Sequence, residues 1–152
     1  MTKFNFKDGN GLVPAHQHPN GGGWVADTAF VTDIAYVGPN AKVYGNAKVC
    51  GDAQVFDNAW VCGDARVCGN AKVCGDAQVF DNAWVSGDAL VSGYAWVFDN
   101  AWVSGNAWVF GDARVSGNAK VSGDAKVCGD NPSEEQPEKD RIFINGKWYV
   151  EE

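Results

Sequence analysis

The chain reads as an all-β solenoid, and three regularities carry that reading. Valine occupies every sixth position from Val25 to Val127, eighteen times without exception. Alanine stands two residues before each valine from Val31 onward, from Ala29 to Ala125. No insertion interrupts this ladder across residues 24–129. A fixed short period of this kind marks units that bury their apolar faces only against neighbouring units.

The open end of a solenoid would recruit further strands, so the terminal segments are expected to cap it. Residues 1–23 form the first cap. Residues 3–14 read as a hairpin: Lys3-Phe4-Asn5-Phe6, the turn Asp8-Gly9-Asn10-Gly11, then Leu12-Val13-Pro14. Residues 15–23, A-H-Q-H-P-N-G-G-G, read as a loop that delivers Trp24 into the first coil.

From Trp24 the hexad is V-x-G-[DN]-A-x, as in Val115-Ser116-Gly117-Asn118-Ala119-Lys120. Strand alternation sends the Ala and Val of each A-x-V segment to one face and the middle residue to the other. The middle residues include Lys42, Lys48, Gln54, Arg66 and Lys72, so Ala and Val point inward. Gly with Asp or Asn then supplies a bend, both types tolerating left-handed backbone.

The motif resembles the hexapeptide repeat of the left-handed parallel β-helix superfamily. That resemblance implies a single-stranded, left-handed, triangular helix of three hexads per coil. Its 18-residue coil matches the offset at which Phe80–Gly87 recurs as Phe98–Gly105, and implies nearly six coils. Trp84 is then expected under Trp102, and Phe80 under Phe98. A second identity, 48–61 against 72–85, is offset by 24 and moves its copy to a neighbouring face. Every eighteenth corner residue alternates as Asp52, Asn70, Asp88, Asn106, Asp124, an interleaving expected to relieve repulsion between stacked carboxylates.

Beyond the repeats, residues 130–140 (D-N-P-S-E-E-Q-P-E-K-D) have the composition of an acidic linker. Residues 141–152 carry Arg141–Ile144, the turn Asn145-Gly146 and Lys147–Val150, a strong hairpin signal. A lone hairpin is marginal in water, so it is expected to dock on the last coil or on a second subunit.

A net charge of −7 argues against direct binding to nucleic acid or anionic membrane. No apolar run approaches a membrane span and residues 1–20 lack a signal-peptide core, so a cytoplasmic location is expected. The cysteines Cys50, Cys62, Cys68, Cys74 and Cys128 share a corner slot with Ser86, Ser92, Ser104, Ser116 and Ser122. Their spacings match no zinc pattern, and reduced thiols are expected. His16 and His18, in an extended segment, would both face one metal, but no Cys or carboxylate stands at a recognisable spacing. The better reading is that they satisfy backbone groups in the cap.

The resembled family includes acyltransferases with a histidine in the coils and carbonic anhydrases with three zinc-binding histidines. Residues 24–129 hold no histidine and no inserted loop, so no catalytic residue, metal or cofactor is expected. An acyltransferase working through an unusual base is the disfavoured alternative. The outward aromatics Trp60, Phe80, Trp84, Trp96, Phe98, Trp102, Trp108 and Phe110 are the candidate contact residues. Clusters of this kind mark interfaces, or platforms on which bases or sugars stack. The expected function is a rigid, non-catalytic scaffold or binding module. It would meet a protein partner or self-associate, many members of the resembled family being trimers. The N-terminal segment also resembles phage-encoded hexapeptide-repeat proteins. That resemblance implies the cytoplasm of a bacterial host cell and suggests, as an alternative, an acidic inhibitor of a host protein whose aspartates imitate phosphate rows.

Overall fold

Each hexad makes one strand, because A-x-V alternates inward apolar with outward polar and the next two residues break the extension. The computed structural model describes residues 2–128 and the strands 141–144 and 147–150. Strands β3 (Trp24–Ala26) to β20 (Lys126–Cys128) follow at six-residue intervals, and most are two residues long. Each pairs in parallel with the strand one coil away, Arg66 lying between Lys48 and Trp84. The expected all-β solenoid with 18-residue coils is the observed one. Its three sheets each contain six parallel solenoid strands, and no helix occurs among the described residues.

Outward residues identify the faces. Face 1 carries Trp24, Lys42, Trp60, Gln78, Trp96 and Arg114. Face 2 carries Phe30, Lys48, Arg66, Trp84, Trp102 and Lys120. Face 3 carries Tyr36, Gln54, Lys72, Leu90, Trp108 and Lys126. The identical segments 48–61 and 72–85 do start on different faces, Lys48 on face 2 and Lys72 on face 3.

Inside, every hexad Ala and Val from Ala35 to Val121 is at most 4% exposed. Ala29, Val31 and Ala125 are only partly buried, since the end coils have a neighbour on one side. Each buried valine contributes about 1.5–3 kcal/mol, which makes this column the main favourable term. Backbone bonds tie the coils together, for example Trp84 N–H to Ala101 O at 3.0 Å and Ser86 N–H to Val103 O at 2.9 Å.

Each corner is a tight turn closed by the alanine, as when Ala83 N–H donates to Phe80 O at 3.3 Å. From Gly45 onward the positive φ falls on the second turn residue, such as Gly63 at 68°, and not on the residue that follows. That is the requirement of a type II′ turn, so only one of the two bend residues needs left-handed backbone. Asp57, Asp81 and Asp99 replace glycine there at φ 60°, 60° and 61°. Their carboxylates accept backbone N–H groups of the next coil: Gly75 at 3.1 Å, Asp99 at 3.3 Å and Gly117 at 3.0 Å. The bond offsets the strain. Asp99→Ala, which keeps the strain and loses the bond, is expected to cost about 2 kcal/mol in urea denaturation. Asp99→Gly, which loses both, should stay within about 0.5 kcal/mol of the parent.

The Asp/Asn alternation stacks as expected, with Asn70 N–H on Gly87 O and Asp88 N–H on Gly105 O, both at 2.8 Å. It is not a general rule against stacked acids. Asp81 lies directly below Asp99, each carboxylate accepting from an amide of the next coil.

At the start, β1 (Lys3–Asn5) and β2 (Leu12–Gln17) form the expected hairpin. Residues 15–17, read above as loop, instead extend β2, which pairs antiparallel with β3 and closes the sheet of face 1. Phe4 stacks on Trp24 at 4.6 Å and Phe6 on Tyr44 at 4.9 Å. Loop 18–23 covers face 3 from below, Val37 N–H donating to Asn20 O at 3.1 Å. At the other end β21 (Arg141–Ile144) and β22 (Lys147–Val150) form an antiparallel hairpin. Of its two expected docks the last coil is the observed one, Val127 of β20 pairing antiparallel with Ile144. The linker 130–140 and the Asn145-Gly146 turn lie outside the described residues.

Candidate functional site

The coil period sorts the eight aromatic candidates. Trp84 and Trp102 stack on face 2 with centroids 5.1 Å apart and planes 8° apart. Phe80 and Phe98 stack at 5.0 Å and 2°. Trp96 meets them edge-on, at 5.7 Å and 6.2 Å. These residues gather around corner 1, where face 1 turns into face 2.

Trp60, Trp108 and Phe110 do not join them. Trp60 is separated from Trp96 by Gln78 on face 1. It meets Tyr44 at 6.2 Å, in the cluster that seats Phe6 and the first hairpin. Trp108 and Phe110 pair at 6.4 Å on the side of face 3. The eight residues therefore belong to three places.

Cations cover the indoles, a feature missed when the aromatics are read alone. Lys42 lies 5.6 Å from Trp60, Arg66 5.3 Å from Trp84, and Arg114 4.5 Å from Trp96. Lys120 lies 5.5 Å from Trp102 and Lys126 5.0 Å from Trp108. Every pair is 18 residues apart, so the signal was present once the coil length was known. Face 2 thus carries one continuous ladder, Arg66–Trp84–Trp102–Lys120. Both broad sides of each central ring are occupied, and Trp84 and Trp102 reach solvent by their edges, 37% and 38% exposed. Bases and sugars stack on open ring faces. This ladder offers none.

Beside the rings the surface is polar and of mixed sign. A groove of about 430 Å³ at corner 1 is lined by Asp64, Asp81, Asn82, Asp99 and Asn100 among others. A second, of about 440 Å³, runs along face 2 between Lys48, Asp64, Arg66 and Trp84. Acidic corner and basic, aromatic face adjoin.

The two histidines part company. His16 Nδ1 bonds Asp27 Oδ1 at 2.8 Å, the carboxylate being brought there by the β2–β3 pairing rather than by sequence spacing. His18 is buried, and its Nε2–H donates to Ala35 O at 2.9 Å. Among the described residues no three His, Cys, Asp or Glu side chains cluster as a metal site. The five cysteines are free and half-buried. Burial pushes the Cys62 and Cys74 thiols up. It also raises the Tyr44 phenol, helped by its hydrogen bond to Cys62. Thiols raised in this way are poor nucleophiles at neutral pH.

The family model described as the YdcK Beta solenoid repeat matches residues 77–93. That stretch supplies one strand to each face, Gln78–Val79, Trp84–Val85 and Leu90–Val91, and contains the first Phe80–Gly87 octad. Comparison with curated proteins and with solved structures finds no match. The coil that resembles the YdcK repeat, and the same register in the other coils, fit a hexapeptide-repeat-like parallel β-helix.

Proposed function

We propose that the chain is a non-catalytic β-helical scaffold whose working surface is the edge where face 1 turns into face 2. The observation that carries this reading is the octad repeated at the coil spacing. It sets Phe80 and Phe98, Asp81 and Asp99, and Trp84 and Trp102 side by side as three short ladders. Interdigitated rings and a coil-to-coil backbone ladder hold these groups before any partner arrives, which lowers the ordering cost of binding. Indole edges, amides and carboxylates suit a protein surface, and Trp and Phe are common anchors there.

Self-association is the form favoured by the charge pattern. Lys48, Arg66 and Lys120 on face 2 complement Asp64, Asp81 and Asp99 at corner 1, so one copy's face fits the next copy's corner. Such a head-to-tail contact closes into a ring when its rotation is a whole fraction of a turn, and one third of a turn would give the trimer of the resembled family. Acyl transfer finds no support in the coils, where residues 24–129 contain no histidine.

Light scattering across a concentration series tests this. The parent is expected to be oligomeric, and Trp84→Ala/Trp102→Ala to weaken association at least about tenfold. Trp108→Ala on face 3 serves as the control and should leave assembly intact. A monomeric parent that binds a cellular protein through Trp84 and Trp102 would move the reading to a foreign partner, including the host-protein inhibitor. A monomer with no binding sensitive to these residues ends the proposal, and acyl transfer from acetyl-CoA by the purified chain replaces it with an enzyme.

A further inference from the structure

The five cysteines share one corner slot, yet the coil period separates them. In their columns Cys62 stands between Tyr44 and Phe80, Cys74 between Phe56 and Ser92, and Cys128 opposite Phe110. Cys50 and Cys68 alone are 18 residues apart, at the same corner of consecutive coils. The register Lys48↔Arg66, Val49↔Val67 runs directly into them. Cys50 N–H donates to Val67 O and Cys68 N–H to Val85 O, both at 2.9 Å, so the two backbones travel together in the ladder.

In-register neighbours lie about 4.8 Å apart, inside the Cα separation of roughly 4.4–6.8 Å that a disulfide spans. Both side chains are half-buried, so neither is sealed from solvent. Other coils place serine in this slot, at Ser86 and Ser104, so the slot does not require sulfur for packing.

We propose that Cys50 and Cys68 are a redox-responsive pair that closes, on reaction with a peroxide, into a disulfide between the second and third coils. The thiolate of one cysteine attacks a peroxide oxygen, the O–O bond breaks, and a sulfenic acid and one water form. The second sulfur then attacks the sulfenic sulfur, the S–S bond forms, and the hydroxyl leaves with the remaining proton as water. Two thiols and hydrogen peroxide thus give one disulfide and two waters; the sulfurs lose two electrons and the peroxide gains them. Burial and the neighbouring Cys68 thiol hold the Cys50 thiol up to about 11, against the pull of Arg66 and Lys48. At neutral pH Cys50 is therefore held as the thiol, which makes its attack on peroxide slow, and closure accelerates as the pH rises. Once closed, the bond links two coils that otherwise separate independently, and suppresses local opening at that corner.

Peptide mapping without reduction tests the pair in the full-length chain. Trypsin cutting after Lys48, Arg66 and Lys72 leaves Cys50 in peptide 49–66 with Cys62, and Cys68 in peptide 67–72. A Cys62→Ser background removes the ambiguity. After mild hydrogen peroxide and alkylation, the two peptides are expected to be replaced by one cross-linked species lacking two hydrogens. A thiol reductant should restore both. Cys50→Ser and Cys68→Ser should each abolish the species, while Cys74 and Cys128 remain alkylated as monomeric thiols. Equal alkylation of Cys50 and Cys68 before and after peroxide overturns the proposal. So does oxidation to sulfinic acid without cross-linking, or linkage only between molecules.

Discussion

Replacing Ala71 by leucine is expected to cost roughly 3 kcal/mol of stability, while Lys72→Leu, the next residue, changes it by less than about 0.5 kcal/mol. Ala71 is 0% exposed and lies between Ala53 and Ala89, themselves 0% and 1% exposed, in consecutive coils. All three faces send only Ala and Val into the coil, so the interior width is set by these two side chains. A leucine adds carbons where the opposing faces already touch, and the backbone ladder cannot spread one coil without stretching bonds to the coils above and below. Lys72 points outward and keeps solvent beside it. Urea denaturation followed by circular dichroism reads both variants. A leucine at position 71 tolerated as well as one at 72 would mean that the core is not close-packed.

The cap is expected to be as sensitive at one glycine and forgiving at its neighbour. In Gly23→Ala the new Cβ would lie 2.2 Å from Gly38 O and 2.5 Å from Val37 Cγ1. Neither is the end of a flexible chain, so the loop must lift. Lifting breaks Gly23 N–H to Val37 O and His18 N–H to Gly23 O, and uncovers the His18–Ala35 bond beneath. The expected loss is roughly 3 kcal/mol, with faster hydrogen exchange at Gly23 and His18. Gly22→Ala meets no atom within 4 Å, though its φ of 84° strains any other residue. That variant should cost only about 1–2 kcal/mol. A loss in Gly23→Ala no larger than that in Gly22→Ala would show that the loop accommodates the new Cβ without giving up its contact with face 3.

The contrast between these variants follows the line between what is periodic and what is not. Residues 24–129 repeat one local rule, and backbone pairing between coils propagates it. The inward set, the 18-residue register and the Trp84–Trp102 and Phe80–Phe98 stacks were therefore legible in the letters. The cation covers were legible too, because Lys42, Arg66, Arg114, Lys120 and Lys126 stand one coil from their indoles. They escape notice when aromatics are read as a class instead of column by column. The left-handed aspartates were less legible. Asp57, Asp81 and Asp99 look like ordinary corner acids until the turn shows which residue bears the positive φ.

The caps follow no period, and there spacing fails. Nothing in A-H-Q-H-P-N-G-G-G tells that the strand persists to Gln17, that His16 meets Asp27, or that His18 is buried on Ala35. Those outcomes depend on how the first hairpin crosses the end of the first coil. By itself the sequence determined a β-solenoid, its Val/Ala core and the outward order of each face, because a six-residue pattern needs only neighbouring backbone to be satisfied. Only the tertiary structure decided that five candidate aromatics meet around one corner while three stand elsewhere, and how the ends are sealed. Those features arise from shape and from contacts between residues that no repeat relates.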